Sequence, residues 1–353
     1  MKLLPIRDAR IKLLLLSLMH LATDGLCSYL VFAKLYPENP ALSFTIFIGY
    51  NLLAFVMQSP LGILIDRHDN PNLFLSLSVA ALLLGYACSE LCLVTVLFIG
   101  LGNALFHVTG GKYVTNKSGN DAAHLGIFVS TGAIGLTLGQ RYLSFDGLVY
   151  IFIGLLVGCT LIMLLSQNPK NREYTEEYEA KGNGATFALL AVIAVVLARS
   201  FVGKVASADF ELTQLLLLGI AIATALGKAI GGVASRLIGT THTVIVSMSV
   251  AAVCLTLGCA NPYIYLLGVF AFNFSMPVTL YYANILLKGK EGFAFGTLAA
   301  ILMPGYLLAM PFHYSVWIKI VAAALCFVTA LVIAVIAKRI QYADRPVVFN
   351  SLN

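Results

Sequence analysis

The sequence predicts an all-α integral membrane protein, with about twelve transmembrane helices arranged as two pseudo-symmetric six-helix bundles. Three observations lead there. Of 353 residues, 59% are hydrophobic and 11% charged, against roughly 45–50% and 25% in soluble domains, and the mean hydropathy is +0.91. These apolar residues fall into stretches long enough to cross about 30 Å of hydrocarbon. A constant shift of 170 positions also carries Gly49, Gly62, Asn103, Val108, Thr109, Gly119, Gly126 and Gly135 onto Gly219, Gly232, Asn273, Val278, Thr279, Gly289, Gly296 and Gly305. Chance glycine matches would scatter over many shifts.

The spans are predicted, in order, at 11–33, 41–65, 72–89, 91–111, 123–140, 147–166, 185–205, 212–235, 241–260, 262–286, 293–311 and 314–337. In the first, Ser17, His20, Asp24 and Ser28 recur at helical spacing and form one polar stripe. The second carries Asn51 and Gln58. Very short joints at Ser89-Glu90 and Asn261-Pro262 separate the third from the fourth and the ninth from the tenth. Asn103 and His107 share a face of the fourth, and the fifth carries Gly126, Gly132, Gly135 and Gly139, small residues at the spacing that lets helices meet backbone to backbone. The seventh contains Arg199, and the eighth has Thr224 and Lys228 one turn apart. The tenth has Asn273, Pro277, Tyr281 and Asn284 on one stripe, the eleventh Gly292, Gly296 and Gly305 with Pro304, and the twelfth Lys319 near its start, placed to snorkel outward.

Loops that alternate sides of a membrane alternate in Lys and Arg content, and these do. One side holds Lys2, Arg7, Arg10, Lys12, Arg67, Lys112, Lys117, Lys170, Arg172, Lys181, Arg236, Lys288, Lys290, Lys338, Arg339 and Arg345; the other holds little beyond Lys34, Arg141 and Lys204. The expected location is the cell (inner) membrane, multi-pass, with both termini cytoplasmic. The net charge of +6 follows from this asymmetry, since cytoplasmic cations meet anionic lipid head groups; it implies no nucleic acid. The first apolar run is not read as a signal peptide, because it is too long, lacks a small-residue cleavage site and carries His20 and Asp24. The seven cysteines lie in or beside apolar stretches and form no C-x-x-C signature. Cys88 and Cys92 are spaced to share a helix face, but inert thiols are expected.

The long polar interval Ser166 to Gly184 lies between the sixth and seventh spans, where a linker between halves belongs. The expected organisation is an N-terminal six-helix bundle at 1–166, a cytoplasmic linker at 167–184 and a C-terminal six-helix bundle at 185–353. A short surface helix is expected from Glu173 to Lys181. Parallel repeats in an apolar chain are one architecture of secondary transporters, whose halves rock about a midplane site.

The loop after the second span reads Gly62-Ile-Leu-Ile-Asp66-Arg67-His68-Asp69-Asn70-Pro71. It resembles the signature loop of the major facilitator superfamily, Gly-x-x-x-Asp-Arg-x-Gly-Arg-Arg, in its first, fifth and sixth positions; Asp69-Asn70-Pro71 replaces the later Gly-Arg-Arg. The resemblance implies that Gly62 lets its helix approach a neighbour and that Asp66 latches the cytoplasmic ends of the two halves. Such a carboxylate interacts favourably with the positive N-terminal pole of a facing helix, and Gly292 to Gly296 would start one. The repeat places Arg236 opposite Asp66, so Gly62, Asp66, Arg67 and Arg236 form the expected conformational latch; ordinary loop-end charges are the alternative. The glycine-rich fifth helix resembles the superfamily's antiporter signature without its Gly-Pro pair, Thr131-Gly132-Ala133 standing near that place; packing alone explains the same glycines. The run Gly102-Asn-Ala-Leu-Phe-His107 resembles the fosmidomycin-resistance branch, which has Phe-His-Pro near this point, with Val108 here in place of the proline. That branch also carries an acid after a His on its first helix, as His20 and Asp24 do.

Ionisable residues inside a membrane are costly and face a cavity or a partner. Asp24 lies past the midpoint of its span. A carboxyl that gains or loses a proton according to which side water enters is what proton coupling needs, and His20, one turn away, is placed to share it; a structural hydrogen bond between helices is the alternative. His107 is counted as a third proton-coupling candidate, with a hydrogen-bonded packing residue as its alternative. Substrate contacts are expected from Asn51, Gln58, Asn103, Arg199, Lys228, Asn273 and Tyr281. Arg199 and Lys228 set against Asp24 favour an anionic or zwitterionic substrate, although Arg199 pairs equally well, on paper, with Asp24 or Asp209. The chain contains no H-E-x-x-H, Gly-x-Ser-x-Gly or G-x-x-x-x-G-K-[ST] motif, so no enzyme, no cofactor and no metal site is expected. The expected function is secondary active transport by alternating access, as proton-coupled export of a small organic, anionic compound. A proton-linked importer or an uncoupled facilitator is the alternative, and a non-transporting sensor or scaffold is the alternative of another class. The expected partners are the small-molecule substrate, protons or another coupling ion, and the lipid bilayer, with the protein a monomer.

Overall fold

The structure, a computed structural model, describes residues 8–141, 147–173, 183–206, 210–257, 260–312 and 315–340. Expectations on Lys2, Arg7, Lys181, Asp209, Cys259, Arg345 and the surface helix after Glu173 lie outside the described residues. The described chain is helical: α1 (Ala9–Glu38), α2 (Pro40–Arg67), α3 (Pro71–Ala87), α4 (Cys92–Ser118), α5 (Ala122–Arg141), α6 (Leu148–Leu165), α7 (Asn183–Val205), α8 (Gln214–Ile238), α9 (Thr240–Leu257), α10 (Pro262–Leu286), α11 (Glu291–Ala309) and α12 (Val316–Arg339). Ten of these are long and apolar enough to cross a bilayer, while α3 and α9 are shorter apolar helices.

The tight joints work because their residues satisfy the free N–H groups of the next helix. Asn70 accepts from Leu73 N at 3.1 Å ahead of Pro71, and Asn261 accepts from Tyr263 N at 3.0 Å and Ile264 N at 3.2 Å ahead of Pro262. Proline at the first helical position forfeits no helical hydrogen bond. Inside α10 the same residue type acts oppositely. Pro277 has no N–H for the Asn273 carbonyl, and the helix breaks at Asn273-Phe274. Two π turns, Leu30–Leu35 in α1 and Leu52–Val56 in α2, widen those helices. Large apolar side chains such as Leu215, Trp317 and Leu331 point outward, as a lipid-facing surface requires.

Within each half, α1 packs on α5, α3 on α4, α7 on α11 and α9 on α12; between halves, α2 packs on α11 and α5 on α8. The 170-residue shift reappears in these contacts. A Cβ at Gly62 would overlap the Gly292 carbonyl, and the shifted pair behaves alike, since a Cβ at Gly232 would overlap the Ala122 carbonyl. A Cβ at Gly126 would meet the Lys228 carbonyl, and at the shifted Gly296 the Gln58 carbonyl. Gly119 (φ 69°) and Gly289 (φ 84°), again 170 apart, both take the left-handed conformation after α4 and α10. Lipid tails supply no hydrophobic drive between helices, so contact this close is what holds the halves together.

The start of α1, the end of α12 and residues 167–173 lie on one face, the terminal face; the ends of α1, α5 and α7 form the opposite face. Two cations assigned above to loops lie elsewhere. Because α4 runs on to Ser118, Lys112 is inside the helix and buried, bonding the Ile65 carbonyl at 3.1 Å. Lys12 is also buried, donating to Ser166 Oγ and to the Met163 carbonyl.

Candidate functional site

Between the halves lies a cavity of about 520 Å³. Its walls run along α1 from His20 to Tyr36, along α2 from Gln58 to Phe47 and along α8 from Lys228 to Ile220, so it extends from mid-depth towards the opposite face. Asp24 lies fifteen residues into the thirty of α1, about 22 Å from its start at a rise of about 1.5 Å per residue. Phe32, Tyr36, Phe47, Tyr50, Phe55 and Phe295 make much of the lining aromatic. The π turns supply Val31, Phe32 and Phe55, a role for such turns seen at many functional sites.

At the bottom of the cavity the structure brings together Asp24, His20 and His107. Asp24 Oδ2 is 3.3 Å from His20 Nε2, Asp24 Oδ1 is 3.5 Å from His107 Nε2, and the two Nε2 atoms are 2.9 Å apart. Asn103 donates from Nδ2 to Asp24 Oδ1 at 3.2 Å. The outer ring nitrogens are also engaged: His20 Nδ1 lies 2.7 Å from the Phe128 carbonyl and His107 Nδ1 2.9 Å from the Asn103 carbonyl. The His20 ring is held between Phe106 and Phe128, with centroids at 5.8 and 4.9 Å. The His20, Asp24 and His107 side-chain atoms lie within 4.8 Å of one another.

Arg199 and Lys228 line the same cavity from α7 and α8. Among the described residues, no carboxylate lies within ion-pair distance of either. Arg199 is 8% exposed, stacks over Phe272 at 5.6 Å and leaves its buried Nε without a partner. Asn51 and Gln58 also face the cavity, though each returns its amide N–H to its own helix, at Phe47 O and Ala54 O. The Gln58 Oε1 atom stays unpaired.

Asn273 and Tyr281 do not line the cavity. The break in α10 turns Asn273 back onto the Val269 carbonyl at 2.8 Å, and presents Met276, Thr279 and Leu280 instead. Tyr281 sits lower, where its carbonyl accepts from Asn120 Nδ2 at 3.0 Å.

That contact belongs to a polar seal across the terminal face. Asp66 accepts from Gly292 N at 2.9 Å and Phe293 N at 2.8 Å, capping α11, and Lys112 stands 3.4 Å from it and 3.1 Å from Asp69. At the twin position Arg236 Nη1 donates to Asp121 Oδ2 at 3.2 Å, beside His124 Nδ1 at 2.7 Å. Burial works against the Asp121 carboxylate, but His124, the Ala123 N–H and Arg236 together hold its pKa below the usual value. This pairing is therefore present at neutral pH and is lost only as pH falls through that lowered value. Asn120, at φ 62°, accepts from Asn284 Nδ2 at 3.0 Å and closes the seal onto α10. Arg67 is exposed at the end of α2. Lys112, Asn120, Asp121 and His124 are seal residues that the sequence did not single out; the 170-residue pairing of Asp121 with Glu291 was the available signal.

No family model matches the chain, and no curated protein matches it in sequence. Among solved structures it is similar to the fucose:proton symporter of E. coli, at 14% identity with 96% of this chain and 100% of that one covered and a TM-score of 0.63. A second structure of that transporter, described as a major facilitator superfamily protein in the outward conformation, matches at 16% identity over the same shares, with TM-score 0.63. The human organic anion transporter TETRAN matches at 13% identity, covering 95% of this chain and 100% of that one, again at TM-score 0.63. This chain thus has the fold of the major facilitator superfamily transporters.

Proposed function

We propose that this chain is a secondary active transporter that works by alternating access and couples proton movement to the passage of a small organic anion. One observation carries the reading: a mid-depth cavity, sealed at the terminal face, in which Asp24 with His20 and His107 faces Arg199 and Lys228, which have no carboxylate at ion-pair distance among the described residues. The division into bundles at 1–166 and 185–353, joined by a linker at 167–184, is supported by the twin glycine contacts. In this reading Asp24, His20 and His107 handle the proton. Arg199, Lys228, Asn103, Asn51 and Gln58 meet the substrate, and Gly62, Asp66 and Arg236 latch the terminal face, with Arg67 flanking. The Lys and Arg bias supports a cytoplasmic terminal face, and in this reading the chain works as a monomer in the inner membrane. Neighbours of the same fold named for proton symport and for organic anion transport are in keeping with this.

Charge arithmetic favours proton and anion travelling together, hence uptake. Proton loss leaves Asp24 free to compete with the substrate for Arg199 and Lys228, so the two ligands support each other's binding. Export by exchange is the second reading, favoured by the glycine-rich α5 beside Asp24. The test is flux in proteoliposomes with a panel of labelled organic acids, with and without a pH gradient. Gradient-driven accumulation of at least one acid is expected, whereas no flux under any gradient would leave a sensor or scaffold.

A further inference from the structure

We propose that the coupling proton resides between His20 Nε2 and His107 Nε2, with Asp24 as its permanent counter-ion, and not on the Asp24 carboxyl. This rests on the proton-coupled reading above. The argument is one of tautomers. A backbone carbonyl only accepts, so the short contacts from His20 Nδ1 to Phe128 O and from His107 Nδ1 to Asn103 O require a hydrogen on each Nδ1. In two neutral rings both Nε2 atoms then carry lone pairs, and these stand 2.9 Å apart. That separation repels as it stands, yet it is the normal length of an N–H···N hydrogen bond. One added proton, bonded to one Nε2 and shared with the other, turns the repulsion into a bond.

Every charged or titratable group facing the pair fits this assignment. On α1, Asp24 sets one oxygen against each Nε2, and the Cys27 thiol accepts from the same Asn103 Nδ2 that serves Asp24. On α4, Asn103 gives an N–H to Asp24 Oδ1, which favours the ionised carboxylate. On α5 the approach is by Phe128 and by Gly132, where a Cβ would overlap both Asp24 Oδ2 and His20 Nε2, and neither carries a charge. From α2 comes Tyr50, and across the cavity Arg199 and Lys228 repel a cation, which keeps the proton on the Asp24 side. On uptake, water in the cavity gives a proton to one Nε2 and the cluster passes from one negative charge to neutral; on release it returns.

The experiment uses the full-length protein in lipid nanodiscs, with infrared difference spectra and 15N-histidine NMR recorded as pH is lowered. Imidazolium signals should rise without any protonated-carboxyl C=O band that depends on Asp24. His107→Gln should lose both the imidazolium change and gradient-driven accumulation, while a thermal midpoint close to that of the wild type shows that it is folded. A protonated-carboxyl band that vanishes in Asp24→Asn would overturn the assignment, as would full coupling in His107→Gln. Cobalt(II) provides the third arm: d–d absorption lost in His107→Gln would make a metal ion the occupant. A wild-type protein with the imidazolium signal but no gradient-driven flux would confirm the proton's address and sink the transport reading instead.

Discussion

In the proposed mechanism Asp24 is the residue on which coupling turns, and its neutral isostere separates its roles. Asparagine keeps the shape and a partner for Asn103 but no longer balances a cation on His20 and His107. Asp24→Asn is therefore expected to abolish accumulation driven by a pH gradient while substrate exchange continues; unchanged gradient-driven flux would refute the role. Gly132 offers a test that removes no polar group. Its added methyl in Gly132→Ala would overlap Asp24 and His20, at an overpacking cost of roughly 1–3 kcal/mol. Coupling should fall far more than exchange, and the thermal midpoint should drop only modestly. Asp24, His20 and His107 were each legible in the sequence as ionisable residues within a span. Their meeting was not, because the polar stripes of α1 and α4 say which face of each helix turns inward but not that the two stripes meet at the same depth.

Among elements, the contacts of α2 with α11 and of α5 with α8 decide whether the terminal face stays shut. Asp66→Asn would leave one oxygen to serve the Gly292 and Phe293 N–H groups, forfeiting a charge-assisted bond of about 1.5–3 kcal/mol. Slower cycling with near-normal substrate affinity is expected, measured as turnover against equilibrium binding. The twin glycines make a paired prediction. Gly62→Val and Gly232→Val should each open the terminal face to a similar degree, read as increased thiol labelling of a cysteine introduced beneath the seal; an effect at one site only would argue against equivalent halves. The repeat pointed to Gly62 and Gly232 together, whereas Lys112 escaped notice because nothing marks where α4 stops being membrane and its last turns become seal. In α10, the polar stripe through Asn273 and Tyr281 suggested one face, but the helix is interrupted at Asn273-Phe274, where Pro277 leaves the Asn273 carbonyl without a helical donor, and neither residue lines the cavity.

For the whole molecule, the sign of the coupling follows from the cavity's charges. If proton and anion bind together, each must strengthen the other by the same factor. Substrate binding then raises the proton affinity of the cluster, so its benefit is present below the cluster's substrate-free pKa and is lost as pH rises through the substrate-bound value. The expected result is tighter anion binding as pH falls, measured by calorimetry on the nanodisc protein. Weaker binding at low pH would identify exchange and restore export.

The sequence alone determined that this chain lives in a bilayer, crosses it about twelve times and is built from two related halves, since hydrocarbon thickness and a fixed repeat both act along the chain. Asp66 capping α11 was legible in the loop motif and the glycines from Gly292; tertiary packing alone decided that His107 meets His20 and that Arg199 and Lys228 stand across from Asp24 with no carboxylate at ion-pair distance among the described residues. In lipid there is no hydrophobic gradient to say which side of an apolar helix faces its neighbour, so glycine contacts between distant segments settle the rotation of each helix and, with it, the site.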